Sequence, residues 1–180
     1  LGLDVSGVVE ELGPGASSLG VGEPVYGLVM TLGGYAEYVA GPRESFARKP
    51  RSLDHVHAAA TPVTGLTAWQ ALFEVGGLSP GQKVLIHAAA GGVGHMAVQL
   101  AKWRGAYVIA TASARNEAFL RGLGVDQFID YRTTAFESVV EAVDLVLDVV
   151  PREADDHTDA LARETMDRSW GVLKDGGILV

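Results

Sequence analysis

Cysteine is absent from the 180-residue chain, which excludes disulfide scaffolds, thiolate zinc sites and cysteine nucleophiles together. Positive charge is scarce: 14 Lys and Arg stand against 22 Asp and Glu, for a formal net charge of −8. A nucleic-acid binder needs a basic stripe to neutralise phosphates, so that class is excluded as well. Long apolar runs are missing. None approaches the roughly 18–20 residues of a membrane-spanning helix, and no membrane partner is expected. The first residues hold no basic segment followed by an apolar one, so nothing reads as a signal peptide and a cytoplasmic location is the expectation. What is plentiful is small and apolar. Hydrophobic residues make up 48% of the chain, enough for a sizeable core. The 23 Gly and 7 Pro exceed the usual combined share of about 12%, which predicts many tight turns. Leu1 stands inside a strand-like segment, and Gly176-Gly177-Ile178-Leu179-Val180 stops as a buried strand begins. Both ends are expected to be cuts in a longer polypeptide.

The texture changes along the chain. In residues 1–52, short β-rich runs at 5–12, 24–30 and 35–39 alternate with turns at Gly13-Pro14-Gly15, Gly20, Gly22 and Gly33-Gly34. That spacing predicts an antiparallel, barrel-like piece of a β domain. From Leu53 the pattern turns helical: Leu66, Trp69, Leu72 and Phe73 recur at spacings of three or four, as in an amphipathic helix with a core face. After Ser79-Pro80-Gly81, strand and helix alternate. Strands are predicted at 84–86, 107–110, 128–129, 143–149 and 178–180, and helices at 93–104, 116–123 and within 153–173. Gly124 is the expected C-terminal cap of the second of these helices. Repeated β-α-β order predicts a parallel sheet with helices on both faces, so residues 53–180 read as a Rossmann-type, doubly wound α/β domain. The sheet is expected to be incomplete at its C-terminal end.

The chemistry concentrates in Val84-Leu85-Ile86-His87-Ala88-Ala89-Ala90-Gly91-Gly92-Val93-Gly94. A buried strand runs into a turn of small residues, and the turn opens a helix. Ala89, Ala90, Gly91, Gly92, Val93 and Gly94 let the backbone approach a pyrophosphate, whose charge the free N–H groups and the positive helix end attract. Helix–strand packing alone would need one glycine rather than three. A nucleoside-triphosphatase loop is the rival, but after Gly76 and Gly81 comes Gln82 where Lys should follow, and Lys83 precedes Val84 rather than Ser or Thr. NAD-binding loops usually place an acidic residue about 20 positions after the glycines, to hold the ribose 2′-hydroxyl. Here that stretch reads Thr111-Ala112-Ser113-Ala114-Arg115-Asn116, without a carboxylate. Ser113 and Arg115 would welcome a 2′-phosphate, so NADP(H) is the expected cofactor.

Other side chains point to no further chemistry. His55 and His57 are two apart, which places them on opposite sides of a helix, unsuited to one metal. His87 ends the first strand of the sheet and is expected to pack or to bond backbone. Asp155, Asp156 and Asp159 lack the glycine and closing Glu of a calcium loop and read as a solvated face. No Ser/His/Asp triad has a local signature.

With these residues in place, the chain resembles the zinc-independent, quinone-oxidoreductase-like (zeta-crystallin-like) branch of the medium-chain dehydrogenase/reductase superfamily. The matching motifs are Gly2-Leu3-Asp4-Val5-Ser6-Gly7-Val8-Val9, Gly33-Gly34-Tyr35-Ala36-Glu37-Tyr38, Gly65-Leu66-Thr67-Ala68 and the glycine loop. They continue with Gln99-Leu100-Ala101-Lys102, Ile129-Asp130-Tyr131-Arg132 and Leu173-Lys174-Asp175-Gly176-Gly177. The resemblance implies that residues 1–52 are part of a GroES-like catalytic domain and that 53–180 form an NADP-binding Rossmann domain. It also implies that Tyr131 contributes to the NADPH site and that Thr67 lies near the nicotinamide. Two departures stand out. Zinc-dependent relatives carry Gly-His-Glu where this chain has Gly2-Leu3-Asp4, so no metal site is expected. Where family members run from Asp-x-x-Gly-Gly into the next helix, Asp148-Val149-Val150-Pro151 leads into an insertion over 152–161.

The expected activity is transfer of hydride from NADPH to a quinone or to the C=C bond of an α,β-unsaturated carbonyl. The full-length protein is expected to act on a small molecule as a homodimer, with the 180 residues inactive by themselves. Simple alcohol oxidation is disfavoured without a zinc Lewis acid. The competing readings are a non-catalytic NADPH-binding protein of the same fold and a zinc-free reductase of other carbonyls. No catalytic side chain is assigned.

Overall fold

The structure is a computed structural model and describes residues 1–16, 18–30, 33–151 and 156–180, the side chains of 156–162 excepted. The chain divides into two compact units, Leu1–Leu66 and Thr67–Val180.

In the first unit, β1 (Asp4–Val8), β2 (Pro24–Leu28) and β3 (Phe46–Arg48) pair antiparallel in that order. The pairing is the expected one, but its third strand is not. Residues 35–37 form bends, 38 and 39 are irregular, and Tyr35 and Tyr38 are 83% and 77% exposed. A β-rich run becomes a strand only where one face can be buried, and these two rings stay in solvent. Helix α1 (His55–Ala59) starts at Asp54, whose carboxylate accepts from the His57 N–H at 2.8 Å. Helix α2 (Pro62–Trp69) opens on Pro62, and the Asp4 carboxylate accepts from its Val63 N–H at 2.7 Å. Asp4 is thus committed to a helix N-terminus.

In the second unit, α2 passes into a π-helical turn at Gln70–Val75. There Leu72 is fully buried, whereas Trp69 is 41% exposed. The core reading holds for Leu72 and fails for Trp69, which packs on the surface against Phe73 and Trp103 with ring centroids 4.8 and 6.2 Å away. The chain then alternates: β4 (Lys83–His87), α3 (Gly92–Arg104), β5 (Tyr107–Ala112), α4 (Glu117–Gly122), β6 (Gln127–Asp130), β7 (Val143–Asp148), α5 (Asp156–Ser169) and β8 (Leu173–Leu179). All neighbouring strands are parallel, in the order β6-β5-β4-β7-β8. The chain winds outward from β4 in one direction and then in the other, as a doubly wound sheet requires.

Alternation along the strands splits the core into two layers. Val84 and Ile86 of β4 face one cluster with Ala97, Val98 and Leu120 of the helices, while Leu85 faces another with Ile109, Ile129, Phe136 and Val146. A strand buried on both sides reads as a continuous apolar run, which is why Val84-Leu85-Ile86 was legible. Lys102 of α3 reaches Asp126 at 2.7 Å, and the same carboxylate accepts from the Val108 N–H, tying helix to strand. Gly124 follows α4 at φ 93° with its N–H on the Arg121 carbonyl, a left-handed stop that suits glycine. The last strand is longer than expected. It starts at Leu173, and Gly176 at φ 75° accompanies a register shift against β7. Residues 152–155 of the insertion lie outside the described residues, and its backbone from Asp156 is the first part of α5. The side chains of the Asp155, Asp156 and Asp159 group are likewise outside them.

Candidate functional site

Strand β4 delivers the loop. After His87 the backbone turns at Ala88, which has φ 48°, and the Ala88 carbonyl accepts from the Gly91 N–H at 2.9 Å. The Ala89 N–H donates to the Thr111 carbonyl at 3.0 Å, so the turn is stitched to β5. Gly91 is the N-cap of α3 and offers no side chain to cap it. The His95 N–H bonds back to the Gly91 carbonyl at 3.0 Å. The first-turn N–H groups of Gly92, Val93 and Gly94 have no intrahelical acceptor and form the positive end of a 13-residue helix.

Close approach of helix and loop depends on Gly94. A Cβ there would lie 2.4 Å from the Ala88 carbonyl oxygen and 2.7 Å from Ala89 Cα. That contact brings the helix N-terminus against the turn, the use of the third glycine in such loops.

A cleft of about 230 Å³ opens beside the turn, lined by Ala88, Ala90, Gly91, Ala112, Ser113, Arg115, Asn116 and Tyr131. It sits past the C-terminal ends of β4, β5 and β6, where ligands of open parallel sheets bind. Ser113 is buried, and its oxygen accepts from Asn116 Nδ2 at 3.3 Å. Arg115 is exposed and has no ion-pair partner among the described residues. Tyr131 stands on the turn after β6, half exposed, with the Arg132 guanidinium 5.8 Å from its ring centre. The lining holds one guanidinium and no carboxylate.

Of the residues singled out from sequence, Ala90, Gly91, Ser113, Arg115 and Tyr131 meet in this cleft. Gly92, Val93 and Gly94 form the first turn of α3 beside it. Ala89 is fully buried under the turn, and Thr67 is exposed on α2, outside the lining. Three lining residues were not singled out: Ala88, Ala112 and Asn116. Their signal was positional, because small residues at strand ends and a polar residue opening the following helix are what a cleft wall needs.

His87 packs in the core as expected, but it bonds side chains rather than backbone. Its ring is 2% exposed and bonds two side chains: Nδ1 lies 3.0 Å from Thr111 Oγ1 and Nε2 3.0 Å from Ser169 Oγ. Phe136 meets it edge-on at 4.6 Å. Burial pushes its pKa down to about 4, and the Arg168 guanidinium adds to this against the Glu137 carboxylate. Arg168 Nε donates to Glu137 Oε1 at 2.7 Å, and this hydrogen bond holds the Glu137 carboxyl below its usual range. Among the described residues no group of three or more His, Asp or Glu could hold a metal ion. No helix there is long and apolar enough to cross a membrane.

A parallel sheet wound from β4 outward, with a glycine-opened helix beside a cleft at the strand ends, defines a Rossmann-type α/β unit. Residues 92–180 match the family described as zinc-binding dehydrogenase. The whole chain is 42% identical to a stretch of polyketide synthase GfsB of Streptomyces halstedii, covering 3% of that protein. Over 72% of its length it is 43% identical to the chloroplast envelope quinone oxidoreductase homolog of Arabidopsis thaliana, covering 42% of it. The solved quinone oxidoreductase from Coxiella burnetii superposes on 99% of this chain with TM-score 0.83 and 39% identity, over 54% of its own length. The CurK enoyl reductase does so on 98% with TM-score 0.86 and 33% identity, over 52% of its length. The chain belongs to the medium-chain dehydrogenase/reductase superfamily, and the relatives it matches include quinone-oxidoreductase-like proteins, an enoyl reductase and a stretch of a polyketide synthase. It spans little more than half the length of the solved relatives and less of the two curated ones.

Proposed function

We propose that the chain is the cofactor-binding portion of an NADPH-dependent oxidoreductase that reduces a quinone or the C=C bond of an α,β-unsaturated carbonyl. The observation that carries this reading is the lining of the cleft: Ser113 and Arg115 stand together with no carboxylate beside them. A 2′-phosphate needs donors and a positive charge, whereas a free 2′-hydroxyl is usually held by an acid. The residues present therefore fit NADPH. Gly92, Val93 and Gly94 would present main-chain N–H groups to its pyrophosphate, Ser113 and Arg115 would hold the 2′-phosphate, and Tyr131 would wall the cleft. When bound, the cofactor would supply a hydride to the conjugated acceptor.

The named relatives support the same chemistry, since both a quinone oxidoreductase and an enoyl reductase superpose on the chain. The loop and cleft lie wholly within the second unit, which we read as the NADP-binding domain. Residues 1–52, within the first unit, are read as part of a GroES-like domain, in which Leu3 and helix-capping Asp4 supply no zinc-ligand set. The test is steady-state NADPH oxidation by the full-length protein with 1,2-naphthoquinone and with an enoyl thioester. Turnover with either, and weaker use of NADH, is expected. Binding of NADPH without turnover on both substrates would mark a non-catalytic dinucleotide binder instead.

A further inference from the structure

We infer that His87, which does not line the cleft, is the positioning residue of the glycine loop: it holds the turn at Ala88 through a chain of hydrogen bonds of fixed direction. The direction follows from proton counting. Ser169 has one hydroxyl proton and spends it on the Thr165 carbonyl at 2.7 Å, an oxygen that only accepts. Ser169 Oγ can then only accept from His87, so Nε2 carries the imidazole proton. In the neutral ring Nδ1 is an acceptor, and Thr111 Oγ1 donates to it. The ring is thereby clamped between β5 and the last residue of α5, with Phe136 against it.

The clamp bears on the loop because Ala88 is the next residue. Ala88 sits at φ 48°, which L-residues avoid, and such a conformation persists only where its surroundings over-determine it. Two anchors do so from one residue: Thr111 donates its hydroxyl to His87 and accepts the Ala89 N–H on its carbonyl. The positioned turn then brings the Ala88 carbonyl to the Gly91 N–H at 2.9 Å, ahead of the helix N-terminus. For its effect on binding, this inference rests on the reading of the loop as a dinucleotide cradle. For its effect on the turn it does not.

The test compares the intact wild-type protein with His87→Leu, His87→Gln and Thr111→Val. The glutamine amide can supply both an N–H donor and a carbonyl acceptor in place of the two imidazole nitrogens, whereas leucine supplies neither. Without cofactor, the Gly91 amide of His87→Leu should exchange about tenfold faster relative to core amides, the effect of losing about one hydrogen bond. NADPH should bind about tenfold more weakly to His87→Leu, and His87→Gln should lie within about threefold of wild type on both readouts. Nitrogen NMR of the wild type should show the proton on Nε2. Thr111→Val keeps the shape and removes one hydroxyl, so it should move the same way and carries the test if His87→Leu fails to fold. An unchanged Gly91 exchange rate in the variants, a proton on Nδ1, or a glutamine variant no better than leucine would overturn the inference. A wild type that does not bind NADPH, while Gly91 exchange still responds to His87→Leu, would refute the proposed function and support the positioning role.

Discussion

The same substitution, glycine to alanine, should have opposite signs at two helical positions of the sheet unit. At Gly94 the new methyl would lie 2.4 Å from the Ala88 carbonyl oxygen, 2.7 Å from Ala89 Cα and 2.8 Å from the Ala89 carbonyl carbon. All three are main-chain atoms, so none can swing aside, and the helix and loop must part. Against three main-chain atoms the overpacking penalty falls at the upper end of its usual range, about 3 kcal/mol, and alanine's better helix propensity offsets about 1 kcal/mol of it. A net loss of about 2 kcal/mol is expected. At Gly122, in α4, nothing lies within 4 Å of the added methyl and the backbone is already helical. There only the propensity and the reduced freedom of the unfolded chain count, a gain of about 0.5–1 kcal/mol. The two variants should therefore differ by about 3 kcal/mol in urea unfolding. Tryptophan fluorescence is the right probe, because Trp69, Trp103 and Trp170 all lie in the unit Thr67–Val180 and report that unit alone. Gly94→Ala should also weaken NADPH binding, while Gly122→Ala should leave it unchanged. A Gly94→Ala protein as stable as wild type would refute the packing account, as would a Gly122→Ala protein that is equally destabilised.

Three other outcomes are expected. Arg115→Asp replaces a phosphate donor with a repelling charge, so NADPH should bind at least tenfold more weakly, and NADH should change little. Isothermal titration with both cofactors checks this, and an equal loss for the two would remove Arg115 from the 2′-phosphate site. The buried His87 gives a pH dependence whose sign can be worked out. Its pKa falls from 6.5 to about 4 on folding, so between those values the unfolded chain binds a proton that the folded chain does not. Stability should drop as pH falls through that window, by on the order of 3 kcal/mol in all, and level off below it as far as this group is concerned. His87→Leu should flatten that part of the curve in urea unfolding at stepped pH, and an unaltered slope would show that the ring titrates normally. Finally, exhaustive chelation should leave the thermal midpoint and turnover unchanged. Stoichiometric zinc in elemental analysis would contradict the reading of Leu3 and Asp4.

The sheet unit was legible from sequence because its signals are local. A continuous apolar run such as Val84-Leu85-Ile86 has no stable setting except a strand buried on both faces, and Gly91, Gly92 and Gly94 at the following helix start specify a close backbone approach. The position of Ser113 and Arg115 was legible for a similar reason: they directly follow the second strand, and the structure brings both to the cleft at the strand ends. Where the pattern depended on a partner surface, the sequence misled. Residues 35–39 are β-rich but leave both tyrosine rings in solvent, and Trp69 has core spacing yet packs with Trp103 at the surface. The largest gap was His87. In the sequence it is a lone histidine after a strand, separated from Thr111 by 24 positions and from Ser169 by 82. What the sequence by itself determined was the order of elements, the glycine turn and the absence of acid after β5, all consequences of neighbours along the chain. The tertiary structure alone decided that β5 and the end of α5 converge on one imidazole, because hydrogen-bond direction and burial exist only once distant segments are packed together.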